Sequence, residues 1–230
     1  MEAVQNKPEK RALPLTYLAL GDSYTIGESV TKQERWTYQL CDLFAEININ
    51  ISEPVTLATT GWTTRELLNA IEAEKTKPDS QLFTDGEMNK FDMVSLLIGV
   101  NNQFRGYSID EYRKEFCELL DIAVKFANGN KKRVLVLSIP DWGCSPFGEK
   151  DKRGRERIRK EVEEFNAVNK EETLKQGIYY ADIFEASTET DLSFFAPDDP
   201  DLVHPSGKQY KAWADVAFSV FRKEVQEISK

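Results

Sequence analysis

Two residues far apart in the chain have the types that nucleophilic catalysis needs. Ser23 follows an apolar run in Gly21-Asp22-Ser23, and His204 is the only histidine among 230 residues. A serine hydroxyl becomes a nucleophile only beside a general base, and imidazole is the most common base. Asp201 lies three residues before His204, a spacing that lets its carboxylate reach Nδ1 of the ring. Such a set could carry out acyl transfer through a covalent intermediate.

Each of these residues also has a purely structural interpretation. Ser23 alone fits a turn hydroxyl or a helix N-cap, and His204 alone fits the segment leading into the last helix. Asp198 and Asp199 compete with Asp201 as the orienting carboxylate, although the geometry of a short turn favours Asp201. The catalytic interpretation therefore depends on a fold that brings Ser23 and His204 together.

Alternating strand and helix patterns predict such a fold. Five short apolar runs, typical of strands covered on both faces, begin at Leu15, Val55, Met93, Arg133 and Ile178. Helical patterns begin at Glu34, Thr63 and Ser108, near residue 150 and at Pro205. Strict alternation predicts right-handed crossovers and a parallel sheet between two layers of helices. We expect a doubly wound, three-layer α/β/α sandwich, as one domain over residues 1–230 with an N-terminal extension over 1–14.

Open parallel sheets bind ligands beyond the carboxyl ends of their strands, and candidate residues follow four of the five predicted strands there. Ser23 follows the first strand, Gly61 the second, Asn101 the third and His204 the fifth. An attacked ester carbonyl becomes an oxyanion, which the backbone N–H groups of Ser23 and Gly61 and the amide of Asn101 could stabilise. Taken singly, Gly61 and Asn101 also fit ordinary turn residues.

Aromatic residues accompany these loops. Tyr24, Trp62, Phe104 and Trp142 could wall a pocket for an acyl or aromatic group, or they could be loop packing. The chain has no obvious long apolar lid, which favours short acyl or acetyl esters over long lipid chains.

Composition limits the partners and the compartment. A net charge of −9 opposes binding to nucleic acid or to anionic lipid surfaces. No apolar run approaches the roughly 20 residues of a spanning helix, and the first residues lack a secretion signal, so we expect a cytoplasmic protein without integral membrane association. Cys41, Cys117 and Cys144 match no metal or redox spacing and are expected to be reduced packing residues.

Four short blocks together resemble the SGNH, or GDSL-type, hydrolases. They are "GDSYT", "TTGWT", "GVNN" and "DLVHPSG", in the order of that family and over nearly the whole chain. The resemblance implies a flavodoxin-like sheet of five parallel strands, a small-molecule ester substrate and no metal or cofactor. It also implies Ser23 as nucleophile and oxyanion donor, Gly61 and Asn101 as further donors, His204 as base and Asp201 as its partner.

The chain departs from the common pattern of these hydrolases in two places. Tyr24 replaces the leucine of "GDSL", a change that leaves the nucleophile intact, and Asn102 stands where many members have aspartate. The second departure concerns the hydrogen bonding of the loop that carries Asn101. Lysophospholipase, thioesterase and carbohydrate acetylesterase activities all remain open on this sequence.

Two other classes compete with an esterase. A metal-dependent phosphotransferase could use Asp22 as nucleophile. Its acidic metal site would require a second aspartate two residues later, where this chain has Tyr24. A non-catalytic ligand-binding module could share the fold, although the chain has no glycine-rich phosphate loop. The motif "GxSxG" of another serine hydrolase fold is also absent from the sequence. The oligomeric state is not predicted.

Overall fold

A sheet of five parallel strands lies at the centre of the protein, whose computed structural model describes residues 13–230. The strands are β1 (Tyr17–Gly21), β2 (Val55–Ala58), β5 (Met93–Leu97), β6 (Val134–Leu137) and β7 (Tyr179–Ala181). Their spatial order is β2-β1-β5-β6-β7, so the order reverses beside β1. Ala19 of β1 pairs with Thr56 on one side and Ser95 on the other. Every predicted strand run contains one of these strands, and the predicted parallel sheet is confirmed.

Burial explains why the strand sequences are apolar nearly throughout. The inner strands β1, β5 and β6 are buried at every position, whereas the edge strand β2 is half-buried. Tyr17 and Ser95, polar groups on neighbouring inner strands, satisfy each other through a buried hydrogen bond of 2.8 Å. Helices on both faces therefore exclude water from the centre of the sheet, as the α/β sandwich requires.

Within the described residues 13–230, eight α-helices connect or flank the strands. They are α1 (Ser23–Ile26), α2 (Trp36–Glu46), α3 (Thr64–Glu74), α4 (Val100–Phe104), α5 (Ile109–Phe126), α6 (Pro146–Glu149), α7 (Arg155–Lys175) and α8 (Gly207–Ile228). Helices α2 and α8 pack together on one face of the sheet, and α3, α5 and α7 pack side by side on the other. This arrangement follows from right-handed crossovers applied to the observed strand order. The three-layer sandwich predicted from the sequence is confirmed.

The α2–α8 layer buries large aromatic side chains. Trp36 of α2 and Trp213 of α8 are fully buried, and Phe44 meets Phe218 edge-on at a centroid distance of 5.0 Å. Rings of this size bury about 150–250 Å² each, so they dominate the packing energy of this layer. Helix α8 is thereby fixed against the sheet, and with it the segment that precedes it.

Local structure differs from the predicted elements at two places. The charged segment near residue 150 forms two helices, because Gly154 adopts a positive φ of 76° and separates α6 from α7. A hairpin of β3 (Phe83–Thr84) and β4 (Glu87–Met88) was not predicted. Its turn residues Asp85 and Gly86 both have positive φ, the pattern of an Asp-Gly type I′ turn.

Three further expectations from the sequence concern the cysteines, membrane-spanning helices and the N-terminal extension. Cys41, Cys117 and Cys144 are free thiols, and Cys144 is buried. Between residues 13 and 230, no helix has both the length and the apolar character needed to cross a membrane. Most of the predicted N-terminal extension, residues 1–12, lies outside the described part of the chain.

Candidate active site

A single cavity at the carboxyl edge of the sheet brings together four of the predicted site residues. Ser23, Gly61, Asn101 and His204 all line it, and its volume is about 180 Å³. Ser23, Gly61 and Asn101 follow β1, β2 and β5, and His204 lies in the segment before α8. The position beside β1, where strand order reverses, is the place at which sheets of this kind bind ligands.

Gly21 and Asp22 shape the turn that presents Ser23. A Cβ atom on Gly21 would lie only 2.5 Å from the Leu97 carbonyl oxygen, so only glycine fits where β1 passes into α1. Asp22 is the N-cap of α1, and its carboxylate accepts a hydrogen bond of 3.1 Å from the Tyr24 backbone N–H. The cap is therefore Asp22, and the Ser23 hydroxyl hydrogen-bonds to no described residue.

The Asp22 carboxyl is buried away from the cavity. Burial raises its pKa from the ordinary 3.8 to about 7, against the opposing effect of the Tyr24 N–H. A group held in this way supports the turn but does not face a substrate.

His204 is oriented by Asp199, so the predicted contact with Asp201 is wrong. His204 Nδ1 lies 2.9 Å from Asp199 Oδ2, while the Asp201 side chain is exposed. The segment from 199 to 204 folds back around the Asp199 carboxylate, which also accepts the backbone N–H groups of Val203 and His204 at 2.8 Å. Leu202 adopts a positive φ of 50° in this turn. Asp199, five positions before His204, therefore faces the ring in place of Asp201, three positions before it. Asp198, the other carboxylate considered from the sequence, is exposed.

Hydrogen bonds keep Asp199 ionised. Burial acts to raise the pKa of its carboxyl, but the backbone N–H groups of His204 and Val203 and the charge of His204 hold the pKa below its ordinary value. Because an ionised carboxylate can only accept, the ring proton of His204 belongs on Nδ1. Nε2 is then left with its lone pair, which is the form a general base needs.

Tyr24 supports the imidazole from the side. Its ring lies 5.8 Å from the His204 ring, tilted by 60°, and 5.7 Å from the buried Trp213 of α8. The residue that replaces the leucine of the common motif thus packs between His204 and the core.

Gly61 lies on a loop that hydrogen-bonds to Asn101 of α4. Gly61 has a positive φ of 84°, a conformation that favours glycine, and its N–H has no partner among residues 13–230. Asn101 Nδ2 donates to the Trp62 carbonyl oxygen at 2.9 Å, which uses one of its two amide hydrogens. One hydrogen of Asn101 and the N–H of Gly61 are therefore available at the cavity.

Asn102 is fully buried and holds the start of α3. Its Oδ1 accepts the Thr64 N–H at 3.0 Å, and its Nδ2 donates to Thr64 Oγ1 at 2.7 Å. The Thr64 hydroxyl donates its own hydrogen to the buried Glu115. Because that hydrogen is already used, residue 102 must supply a donor, which asparagine has and an ionised aspartate lacks.

Three of the four aromatic residues predicted to wall a pocket line the cavity. These are Tyr24, Phe104 and Trp142, whereas Trp62 packs against the core instead. Phe147, which was not predicted, completes the wall at 5.9 Å from Trp142 and 6.1 Å from Phe104. The sequence held a signal for it, since Ser145 and Pro146 are an N-cap and a first-turn proline that predict the start of α6.

Polar groups behind the wall hold it in place. Trp142 Nε1 donates to Gln103 Oε1 at 2.7 Å, and Gln103 Nε2 donates to Glu161 at 2.9 Å. The Arg153 guanidinium lies 5.0 Å from the Trp142 ring and 5.5 Å from the Phe104 ring. The wall is therefore fixed by hydrogen bonds and cation–π contacts as well as by packing.

Comparison with known families identifies a match over most of the chain. Residues 19–212 match the model of the GDSL-like Lipase/Acylhydrolase family. No curated protein matches the chain.

Solved structures of low sequence identity share the fold. The psychrotrophic esterase EstA from Pseudoalteromonas sp. is 15% identical, with 92% of this chain and 98% of that chain covered and a TM-score of 0.63. The lipase/acylhydrolase from Enterococcus faecalis is 18% identical, with 94% and 95% covered and a TM-score of 0.61. Axe2, an acetylxylan esterase from Geobacillus stearothermophilus, is 18% identical, with 89% and 93% covered and a TM-score of 0.62.

Proposed function

The chain belongs to the GDSL-like lipase/acylhydrolase family and is a carboxylic ester hydrolase, and from that premise we propose that Ser23, His204 and Asp199 form its catalytic triad. The observation that carries the proposal is the 2.9 Å contact between His204 Nδ1 and Asp199 Oδ2, with Ser23 and His204 on one cavity. Asp199 replaces Asp201 in the role that the sequence suggested.

The reaction is a two-step acyl transfer. His204 Nε2 takes the Ser23 proton as the hydroxyl oxygen attacks the ester carbonyl, and the same proton then leaves with the alcohol. Water attacks the resulting acyl-serine and gives a proton to His204. His204 then passes this proton to Ser23 Oγ as the bond between that oxygen and the acyl carbon breaks, which releases the acid and restores the serine. Asp199 keeps Nδ1 protonated and stabilises the imidazolium that forms in both steps.

Three donors fit the oxyanion of the tetrahedral intermediates. They are the backbone N–H groups of Ser23 and Gly61 and the remaining amide hydrogen of Asn101. Donors held in position before the reaction cost no reorganisation when charge develops, and loss of one typically lowers kcat about 10²–10³-fold.

The cavity supports short acyl or acetyl esters as substrates. Its volume of about 180 Å³ is below the roughly 300–1,000 Å³ of sites for drug-sized ligands. Phe104, Trp142 and Phe147 form an apolar wall that suits a small acyl group. The lysophospholipase, thioesterase and carbohydrate acetylesterase activities are the alternatives, and a panel of esters separates them. A nucleophilic role for Asp22 is disfavoured because its carboxylate is buried and caps α1.

Replacing the nucleophile tests the proposal. We expect Ser23→Ala to lower kcat for p-nitrophenyl acetate by at least about 10⁴-fold, because the covalent step is lost. The variant should also fail to react with a fluorophosphonate, while its circular dichroism and melting temperature stay close to those of the unmodified protein. Ser219→Ala, at an exposed position of α8, is the matched control. A folded Ser23→Ala protein that keeps most of the activity would contradict the assignment.

A further inference from the structure

Helix α4 and the residue after it make hydrogen bonds to one short stretch of backbone, from Gly61 to Thr64. Asn101 bonds to the Trp62 carbonyl and Asn102 to Thr64, as described above. Arg105 Nη2 donates to the Gly61 carbonyl oxygen at 2.6 Å. The loop that carries Gly61 and the helix that carries Asn101 are thereby joined at successive positions.

Arg105 also joins Gly61 to the start of α3. Its Nη1 lies 3.2 Å from Glu66 Oε2, and the same carboxylate accepts the Thr63 N–H at 2.7 Å in the capping box of α3. The guanidinium therefore bonds the middle of the turn between β2 and α3 and also the first turn of α3. Arg105 does not line the cavity, so it acts on the site only through the groups it holds.

We propose that Arg105 is a positioning residue that aims the Gly61 N–H at the oxyanion. Gly61 has no side chain to restrict its backbone, and Gly61 and Trp62 lie in no helix or strand. The hydrogen bond to the Gly61 carbonyl fixes one of the two peptide groups at this residue, and thereby restricts the directions open to the other, which carries the Gly61 N–H. This role rests on the proposed function, since it concerns the oxyanion of the Ser23 reaction.

A positioning role predicts a specific kinetic pattern. The oxyanion exists only in the transition states and intermediates, so a misdirected donor lowers kcat and leaves ground-state binding nearly unchanged. His204 and Asp199 are not contacted by Arg105, so the pH profile of kcat should keep its shape. A tetrahedral mimic such as a boronic acid should lose affinity together with kcat.

The test compares Arg105→Ala with Arg105→Lys and with Arg113→Ala as control. Arg113 pairs with Glu171 and Glu172 on the α5–α7 side, away from the cavity. For p-nitrophenyl acetate we expect Arg105→Ala to lower kcat about 10–100-fold, with KM within about threefold, because one oxyanion donor is misdirected rather than removed. Arg105→Lys, which keeps a donor, should recover part of the loss, and Arg113→Ala should match the unmodified protein.

Labelling with a fluorophosphonate separates this proposal from the proposed function. If the unmodified protein does not label at Ser23, the proposed function fails. If the unmodified protein labels, Arg105→Ala should label to the same extent at a lower rate. An equal labelling rate, or an effect of Arg105→Ala on KM alone, overturns the role of Arg105.

A second variant tests the bond to Gly61 separately from the cap of α3. Glu66→Gln is expected to keep both the helix cap and the Arg105–Gly61 bond, so a loss of kcat equal to that of Arg105→Ala would also overturn the role of Arg105. Should Arg105→Ala not fold, Arg105→Met, which keeps an unbranched side chain of similar length without the charge, is judged by the same criteria.

Discussion

Asp199 illustrates how one side chain can organise the segment that carries a proposed catalytic base. Its Oδ2 accepts the ring N–H of His204 and two backbone N–H groups, and its Oδ1 accepts the Asp201 N–H at 3.3 Å. The carboxylate therefore fixes both the imidazole and the turn that carries it. Because these bonds lower its pKa, Asp199 stays ionised at neutral and mildly acidic pH.

Exchanging the two neighbouring aspartates for asparagine distinguishes their roles. We expect Asp199→Asn to lower kcat for p-nitrophenyl acetate by about 10³–10⁴-fold, because an amide N–H facing Nδ1 favours the wrong tautomer. Asp201→Asn should stay within about twofold, since its side chain is exposed. Steady-state kinetics on both purified variants makes the comparison, and losses of equal size would refute the assignment of Asp199.

The sequence predicted which segments meet at the cavity but not every contact within them. Ser23, Gly61, Asn101 and His204 could be placed together because each follows a strand, and parallel strands end at one edge. The partner of His204 could not, because it depends on the backbone path from Asp199 onward. A spacing of three suggested one carboxylate, and the positive φ of Leu202 brings in another.

The segment from the Trp142 turn through α6 sets the size of the cavity. Trp142 is held by Gln103, and Phe147 of α6 closes the wall beside it. Phe147 is only partly buried, so it can be shortened without opening the core. This element is therefore where acyl-chain preference is expected to reside.

Shortening Phe147 tests that expectation. We expect Phe147→Ala to raise the ratio of kcat/KM for p-nitrophenyl hexanoate over acetate by about tenfold. The space left by the ring would bury about two further CH₂ groups of the hexanoyl chain, at about 0.8 kcal/mol each. Leu174→Ala, at an exposed apolar position of α7, is the control. If Phe147→Ala leaves the hexanoate-to-acetate ratio of kcat/KM unchanged, the acyl chain does not lie against Phe147.

Elements with strong periodicity were predictable, and elements defined by special backbone angles were not. The five strands were predictable because burial on both faces makes their sequences apolar throughout. The long helices were predictable because burial of one face gives their apolar residues a helical spacing. The β3–β4 hairpin depends on Asp85 and Gly86, a turn signal that the apolar pattern does not reveal. The break between α6 and α7 likewise depends on the positive φ of Gly154, which the apolar pattern does not reveal.

For the molecule as a whole, the buried Asp22 carboxyl links stability to pH. Its pKa is raised to about 7 in the folded protein and returns to about 3.9 in an unfolded chain. The folded state therefore binds more protons between these values, and this group's contribution to stability is present below about pH 4 and lost as the pH rises towards 7. Carboxyls with lowered pKa, such as Asp199, act in the opposite direction.

Comparing Asp22→Asn with the unmodified protein isolates this effect. Asparagine can still cap α1 but does not titrate. We expect the free energy of unfolding of Asp22→Asn, relative to the unmodified protein, to rise by about 1.4 kcal/mol per pH unit between pH 4.5 and 6.5. Urea denaturation at several pH values measures it, with the exposed Asp42→Asn as control. Parallel stability curves for Asp22→Asn and the unmodified protein would show that Asp22 does not titrate in this range.

The order of the elements along the chain has a consequence for biosynthesis. All five strands of the sheet have been translated once the ribosome passes Ala181, whereas Asp199, His204 and α8 come later. Synthesis proceeds at about 5–20 residues per second, and early segments can fold first. On the proposed chemistry, a nascent chain therefore presents its serine before it has a base, and it becomes able to cleave esters only after α8 has emerged and docked.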